Sequence, residues 1–203
     1  MKTPSQKQVW ENIAQEWHKF KIFPGKGVED FLKKQKGKIL DLGSGAGRNL
    51  IKVRGTKMYL VDFSEKMLKL AEKKAKKQKI KIQTTQAELT KLPFEDNFFD
   101  AAITISSIHC IEGKSNREKA VKELFRVLKP GAEVKVAVWD KDSKRFKNAP
   151  KDKYVKWRDK GARYYYLFNE KELHDLFKKV GFKIKKKLDS YVMITFIVKK
   201  PKR

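Results

Sequence analysis

The sequence predicts an α/β protein with a doubly wound, mostly parallel seven-stranded sheet, one reversed strand, and helices on both faces. Three observations predict this fold class. Segments with strand spacing alternate with segments of helical spacing over residues 38–139. The first strand runs directly into a glycine-rich turn at 43–47. The last two strands are separated by so short a link that they must be antiparallel, because a parallel crossover needs a longer connection.

The individual elements follow from spacing and from their end signals. Strands with buried or alternating apolar residues are predicted at 38–42, 58–62, 80–85, 99–105 and 133–139. Helices are predicted at 9–17, about 65–77, and around 120–128, where Lys129, Pro130 and Gly131 end the last of them. Ser5 and Gln8 are placed to cap the first helix.

The C-terminal third begins with a segment that lacks periodicity. Residues 140–168 are rich in Lys, Arg and Tyr, which predicts a basic inserted loop. Asn169 and Glu172 then predict a capping box for a helix that ends near Gly181. The closing hairpin is predicted from 182–188 and 191–198.

Composition limits the functional classes. The 203 residues predict one domain, 1–203, and the 50 Lys+Arg against 24 Asp+Glu give a formal charge of +26. Such a charge is typical of a protein that binds nucleic acid, or of a protein with a lysine-rich surface suited to high temperature. One cysteine and three histidines predict no disulfide and no metal site. No apolar run approaches the roughly 18 residues that span a bilayer, so we expect a cytoplasmic protein without a membrane segment.

The glycine-rich turn predicts a cofactor site. A dinucleotide fingerprint would need a third glycine where Arg48 stands, and the turn has no phosphate-binding lysine. The pattern suits S-adenosylmethionine, with Asp62 after the second strand for the ribose hydroxyls and Glu88 after the third for the adenine amine. The alternative to a cofactor site is purely structural: residues 43–47 form a tight turn from strand to helix, and Asp62 caps the helix that begins near Glu65. The predicted cofactor-binding residues are Asp41, Gly43, Ser44, Gly45, Gly47, Asp62, Phe63, Glu88, Leu89 and Ser106. Residues 1–36 are predicted as a helical lid over substrate and cofactor.

Several motifs resemble those of known enzymes. Residues 92–100 and 128–131 resemble runs of the Rossmann-like class I S-adenosylmethionine-dependent methyltransferases. Residues 103–110, 136–139 and 163–168 resemble the tRNA wobble-uridine carboxyl methyltransferases of eukaryotes and their archaeal relatives. The resemblance implies an enzyme that methylates the carboxylate of a 5-carboxymethyl-type uridine in tRNA. It also implies a small zinc-binding activator protein as a partner.

The resemblance implies roles for residues on the substrate side. Arg163 and Lys21 would orient the carboxylate or a nearby phosphate, Tyr164 or Tyr165 would stack on a splayed base, and His109 would contact the uridine or its sugar. The predicted RNA-binding residues are Lys144, Arg145, Lys147, Arg158 and Tyr165. The chain departs from the family pattern where Cys110 and Tyr166 replace histidines and where Lys21 replaces an arginine.

Alternatives remain open at the level of the sequence. The motifs at 92–94 and 128–131 fit a small-molecule or lipid-quinone methyltransferase equally well, although that class does not explain the basic segment. A non-catalytic RNA-binding subunit is a third possibility. Cys110 is expected to be an inert buried thiol rather than a nucleophile. The activator is expected to dock near the strand at 80–85, unless Lys79 and Lys81 keep that edge free.

Overall fold

The computed structural model describes residues 4–202, so both ends of the predicted domain, 1–3 and 203, lie outside the described residues. The strands are β1 Gly37–Leu42, β2 Thr56–Asp62, β3 Ile82–Gln86, β4 Phe99–Ile105, β5 Leu128–Trp139, β6 Asp152–Lys156, β7 Ala162–Tyr166, β8 Lys183–Leu188 and β9 Met193–Lys199. The helices are α1 Gln6–Phe20, α2 Val28–Leu32, α3 Glu65–Gln78, α4 Lys114–Val127 and α5 Glu170–Val180, with a 3₁₀ turn at Ile108–Cys110.

The main sheet confirms the predicted fold class. Its seven strands have the order β3-β2-β1-β4-β5-β9-β8. The first five pair in parallel, whereas β9 is antiparallel to both β5 and β8 and is therefore the one reversed strand. The strand order reverses between β1 and β4, and in open α/β sheets the crevice at such a switch point is where ligands bind.

The apolar core lies on both faces of the sheet because successive residues of a strand point to opposite sides. Leu40 and Leu42 of β1 belong to a cluster covered by α4 and α5, whereas Ile39 belongs to a second cluster covered by α2 and α3. The central strands are therefore buried on both sides. This explains why they appear in the sequence as continuous apolar runs.

The helix ends follow local sequence signals. Ser5 and Gln8 form the predicted capping box at the start of α1. The Asn169 side chain accepts a hydrogen bond from the Glu172 backbone N–H at 2.9 Å and so caps α5. The predicted return contact is not made, because the Glu172 carboxylate accepts from the Tyr166 hydroxyl and pairs with Lys151 instead. Gly181 ends α5 in the left-handed region.

The segment 140–168 differs from the prediction. It contains an antiparallel hairpin of β6 and β7 rather than a loop without regular structure. The strand signal is hidden because Arg163, Tyr164, Tyr165 and Tyr166 are all buried, so β7 shows no alternation of polar and apolar residues. The closing hairpin also differs, since its link comprises residues 189–192. Among residues 4–202 no helix is both long enough and apolar enough to cross a membrane.

Candidate functional site

The turn after β1 is tied to β2 and to the end of β4. The backbone N–H groups of Gly43 and Ser44 both donate to the Val61 carbonyl, at 2.8 and 3.0 Å. Gly43 has φ +74°, and a Cβ there would lie 2.3 Å from the Ser107 Cβ. Gly45 has φ +53°, and a Cβ there would meet no atom within 4 Å. Gly43 therefore permits close packing of the turn against Ser107, whereas Gly45 faces open space.

That open space is a cavity of about 580 Å³ at the carboxyl ends of β1, β2 and β4. Nine of the predicted site residues line it: Lys21, Gly43, Ser44, Gly45, Asp62, Phe63, Glu88, Leu89 and Ser106. Residues from α1 and the turn also line it, and the sequence did not single them out: Gln6, Trp10, Trp17, Arg48 and Asn49. The helical spacing of Trp10 and Trp17 predicts that they share a face of the first helix, but it does not show that this face covers a cavity.

Asp62 is fixed at the end of β2 by two backbone donors. Its Oδ2 accepts from the Gly45 N–H at 2.8 Å and its Oδ1 from the Ser64 N–H at 3.0 Å. Burial raises the pKa of Asp62 to about 6, against the opposing effect of these two hydrogen bonds. A carboxylate oxygen can accept more than one hydrogen bond, so Asp62 retains the capacity to accept from a diol. Glu88 is exposed on the cavity wall, just after β3.

Asp41 and Gly47 lie outside the cavity lining, contrary to the prediction. Asp41 is completely buried behind the turn, and neither carboxylate oxygen has a hydrogen-bond partner among residues 4–202. Burial raises the pKa of Asp41 to about 7, although the nearby Arg48 lowers it. A Cβ at Gly47 would lie 3.0 Å from the Ala71 Cβ, so Gly47 allows α3 to pack closely against the turn.

Ser106 marks the end of β4 with a strained backbone. It is one of few non-glycine residues with positive φ, at +61°, and its N–H donates to the Ala137 carbonyl at 2.8 Å. The adjacent Ser107 hydroxyl donates to the Leu42 carbonyl at 2.7 Å. These contacts bring β1, β4 and β5 together directly beneath the cavity.

The residues present fit S-adenosylmethionine. A glycine without side-chain contacts faces the cavity, and carboxylates at the ends of β2 and β3 can accept hydrogen bonds from hydroxyl and amine groups. Residues 40–135 match the family model of a methyltransferase domain. This part of the chain is therefore a methyltransferase domain, and its sheet has the class I methyltransferase fold.

Two curated proteins that are similar to this methyltransferase domain are named for different substrates. A tRNA (carboxymethyluridine(34)-5-O)-methyltransferase from Arabidopsis thaliana is 34% identical over 50% of this chain and 24% of its own length. A ubiquinone/menaquinone biosynthesis C-methyltransferase UbiE from Vibrio cholerae is 35% identical over 51% of this chain and 42% of its own length. The matches thus span less than half of either relative.

A solved structure confirms the fold. A S-adenosylmethionine-dependent methyltransferase from Methanosarcina mazei superposes with a TM-score of 0.72 and 20% identity. The match covers 89% of this chain and 100% of the other.

The predicted substrate residues lie on the side of the cavity formed by α1 and the β6–β7 hairpin. Lys21 lines the cavity. Burial lowers the pKa of Lys21, and the positive charges of Arg48, Arg145 and Arg163 lower it further. The three arginines therefore lie near Lys21, and we call these four residues the basic cluster.

Arg163 lies behind the cavity wall rather than in the lining. Its guanidinium carbon is 4.8 Å from the Trp157 ring centre, 5.0 Å from that of Trp17 and 5.9 Å from that of Trp10. It donates to the Tyr165 hydroxyl at 2.7 Å, and its Nε has no hydrogen-bond partner among residues 4–202. The side chain is only 5% exposed and forms no ion pair with any residue in that range.

His109 and Tyr164 are also outside the cavity lining. The buried His109 accepts a hydrogen bond at Nδ1 from the Trp139 N–H at 2.9 Å, and burial lowers its pKa to about 3. It is therefore a neutral ring at pH 7. The Tyr164 hydroxyl donates to Asp152 and lies 3.2 Å from Arg117, in the core beneath the hairpin. This position corrects the prediction that Tyr164 can stack on a base.

The predicted RNA-binding residues lie at different distances from the site. Lys144, Arg145 and Lys147 are exposed on the segment between β5 and β6, and the charge of Arg145 reaches Lys21. Arg158 pairs with Glu16 of α1 at 3.5 Å. Tyr165 is buried against Trp139, with ring centres 4.1 Å apart, so it supports the basic cluster from behind.

Proposed function

We propose that this methyltransferase domain transfers a methyl group from S-adenosylmethionine to the carboxylate of a 5-carboxymethyl-type uridine at the wobble position of tRNA. The observation that carries the proposal is the basic cluster. Lys21, Arg48, Arg145 and Arg163 form no ion pair within the described part of the chain. A buried cation without a counter-ion is costly, and the aromatic rings around Arg163 offset only part of that cost. An anionic substrate would supply the missing counter-charge.

The chemistry needs few groups from the protein. When bound, S-adenosylmethionine supplies a methyl group on a positively charged sulfur, which a carboxylate oxygen can attack without a general base. The chain would position the carboxylate through Lys21 in the cavity lining, and the positive charge of Arg163 would act on it from behind the wall. Trp10 and Trp17 would keep water from the cavity. Because burial lowers its pKa to about 3, His109 is a weak base, which is consistent with a reaction that needs no proton acceptor.

The thiol of Cys110 does not favour methylation at a pyrimidine carbon. That reaction needs a thiolate nucleophile, and burial raises the pKa of Cys110 far above its usual range. Its sulfur donates to the Ser106 carbonyl at 3.4 Å. The protonated thiol is thus part of the cavity wall.

The product identifies the reaction. The protein is incubated with labelled S-adenosylmethionine and tRNA that carries 5-carboxymethyluridine, and the nucleosides are identified by mass after nuclease digestion. We expect a methyl ester that is lost in mild alkali. Label in an alkali-stable nucleoside would contradict the proposal.

A pair of arginine variants tests the basic cluster. Arg163→Gln should reduce methyl transfer about 10- to 100-fold, because the positive charge behind the cavity wall no longer attracts the carboxylate, while cofactor binding persists. Arg54→Gln is the matched control, since Arg54 is exposed before β2 and away from the cavity. Equal effects of the two substitutions would remove Arg163 from the substrate site.

The second candidate is a small-molecule methyltransferase, favoured by the match to the quinone C-methyltransferase. The aromatic wall formed by Trp10 and Trp17 could also accept an apolar ring. The same incubation with a small-molecule extract in place of tRNA distinguishes the two. Label in an extract component, with none in tRNA, would establish the second candidate.

We also infer that an activator protein pairs with β3. This strand is at one edge of the sheet and pairs only with β2 in the described fold. Exposed strand edges accept a further strand from another chain. Methyl transfer should rise when a small zinc-binding activator is added. A monodisperse chain that is fully active alone would exclude the partner.

A further inference from the structure

The cavity mouth carries an apolar surface that the proposed reaction does not use. After Lys21, the last helical contact of α1, the chain continues along the rim to Gly25, whose N–H donates to Asn49 on the cavity wall at 3.2 Å. We call residues 20–25 the rim segment. Phe20 is 60% exposed and Phe23 is 77% exposed. Large aromatic side chains at such exposure are unusual in a surface this rich in charge.

Phe20 is held in place although it is exposed. Its ring centre lies 5.8 Å from that of Trp17 and 5.7 Å from that of Trp157, and the Lys21 ammonium lies 4.8 Å above the ring. Trp17 and Lys21 both line the cavity. Phe20 therefore extends an aromatic series outward from the methyl-transfer site, with its outer face open to solvent.

The charges around the rim segment favour an anionic partner. Lys19 and Lys26 flank the segment and are exposed, and neither forms an ion pair with another residue of 4–202. With the exposed Arg145 close to Lys21, the surface combines free cations with free aromatic faces. Single-stranded nucleic acids are bound by this combination, because phosphates meet cations while bases stack on rings. A second copy of a chain with a charge of +26 would instead bring like charges together.

We propose that Phe20 and Phe23 are a stacking platform for an unpaired nucleotide next to the one that enters the cavity. The inference rests on the proposed function, since it places the neighbouring base of the same RNA. Stacking would hold the RNA so that its target nucleotide reaches the cavity. Both phenylalanines are positioning residues and not catalytic ones.

The test compares two RNAs and two kinds of variant. Binding is measured for a stem-loop with unpaired loop nucleotides and for a fully paired duplex of equal phosphate number. The double variant Phe20→Ala, Phe23→Ala should weaken stem-loop binding about tenfold and leave duplex binding unchanged. The slope of binding against salt concentration should also be unchanged, because no cation is removed. Cofactor binding by the variant confirms that it is folded.

Tyr191→Ala is the matched control, because Tyr191 is 94% exposed on the link between β8 and β9. It should leave both affinities unchanged. A second variant, Phe20→Leu, Phe23→Leu, keeps apolar bulk without the aromatic faces and should still lose most of the stem-loop preference. Unchanged stem-loop binding by the alanine variant would overturn the proposal, and so would equal losses on both RNAs.

The remaining outcomes separate this inference from the proposed function. If the variants lose stem-loop affinity but the product is not a carboxyl ester, the stacking platform stands and the proposed reaction fails. If the ester forms and the variants bind normally, only the platform fails. A wild-type chain that binds neither RNA overturns both. If the phenylalanine variants bind RNA normally but lose binding to anionic lipid vesicles, Phe20 and Phe23 contact a membrane instead. If they bind RNA normally but change oligomeric state, the two side chains contact a second copy of the chain.

Discussion

Gly43 and Gly45 have similar backbone conformations but different surroundings, so alanine substitutions separate strain from collision. Both have positive φ, which costs an L-residue about 1–2 kcal/mol. Gly43→Ala adds a collision with Ser107, whereas Gly45→Ala adds none within the protein. We expect Gly43→Ala to lower the unfolding free energy by a further 1–3 kcal/mol or so relative to Gly45→Ala.

The cofactor should reverse the ranking of these two variants. Gly45→Ala places a methyl group in the cavity, so it should weaken S-adenosylmethionine binding more than its modest loss of stability suggests. Urea denaturation and calorimetric titration measure the two effects. Equal destabilisation by both substitutions would show that the turn relaxes around Ser107.

Asp41 predicts a pH dependence of stability. Its pKa is raised to about 7 in the folded chain, from an ordinary value of 3.8. Between about pH 4 and pH 7 the folded chain therefore keeps a proton that the unfolded chain has released, so stability falls as pH rises. The loss is absent below pH 4, complete above pH 7, and on the order of a few kcal/mol. Asp62, with a pKa of about 6, acts in the same direction.

Asp41→Asn should remove most of that dependence. The amide side chain that replaces the carboxyl group is uncharged at every pH, so only the contribution of Asp62 remains. The unfolding free energy of the two proteins, measured in urea from about pH 4.5 to 7.5, should converge at low pH and diverge in favour of the variant at high pH. Parallel curves would mean that Asp41 ionises normally in the folded chain.

At the scale of elements, α1 is fixed to the rest of the domain at both of its sides. The Glu11 carboxylate accepts from the first backbone donors of α3, Glu65 N–H at 2.7 Å and Lys66 N–H at 3.2 Å. On the other side, Glu16 accepts from the Trp157 indole at 2.5 Å and pairs with Lys160 of the hairpin. The helix that carries Trp10 and Trp17 is thereby held over the cavity.

Glu11→Ala should loosen α1 locally. The substitution leaves two donors of α3 without their acceptor, a destabilisation of about 1 kcal/mol that resembles removal of a helix cap. Hydrogen exchange of residues 6–20 should become faster, and cofactor affinity should fall because α1 forms one cavity wall. Gln15→Ala, on the exposed side of α1, is the control. Unchanged exchange in the Glu11 variant would show that the hairpin contacts alone hold the helix.

Local signals predicted the elements that bury one or two apolar faces, but not those fixed by distant partners. The starts of α1 and α5 follow from capping residues predicted from the sequence, whereas Ser64, which caps α3, was not predicted. The β6–β7 hairpin does not, because Arg163 is buried by tryptophans of α1, far away in the sequence, as well as by its neighbour Trp157. Hydrophobic periodicity counts an arginine as an exposed position, so a strand whose arginine is buried by distant residues is not recognised from the sequence.

The same distinction applies to the site. The strand-end positions of Asp62, Glu88 and Ser106 predicted that they lie together, and all three line the cavity, since the carboxyl ends of parallel strands meet at one edge. Asp41 also ends a strand, but its side chain points behind the turn, which the spacing of glycines does not reveal. The glycine spacing identifies Arg48 only as the position where a dinucleotide fingerprint would have its third glycine, because its place in the cavity wall depends on the path of the turn.

For the whole molecule, the basic residues that give the formal charge of +26 include some that pair with acidic side chains and others that form no ion pair within residues 4–202. Lys69 of α3 pairs with Glu65 at 2.6 Å, as expected for a solvated helix face, and such exposed pairs contribute little. Lys144, Arg145 and Lys147 are exposed on the segment between β5 and β6, where the charge of Arg145 reaches Lys21 in the cavity lining, and they form no ion pair within residues 4–202. Location, rather than the total, therefore decides which charges can meet a phosphate backbone.

Two triple variants test that division. Lys144→Gln, Arg145→Gln and Lys147→Gln together should weaken tRNA binding and flatten its dependence on salt, by up to about 0.7–0.9 in logarithmic slope for each phosphate that is no longer neutralised. Lys69→Gln, Lys73→Gln and Lys76→Gln remove the same net charge from α3 and should change neither quantity. Binding is measured at several salt concentrations for both variants. If both triple variants lower the affinity for tRNA equally, the total positive charge of the chain attracts the RNA, and the positions of Lys144, Arg145 and Lys147 do not matter.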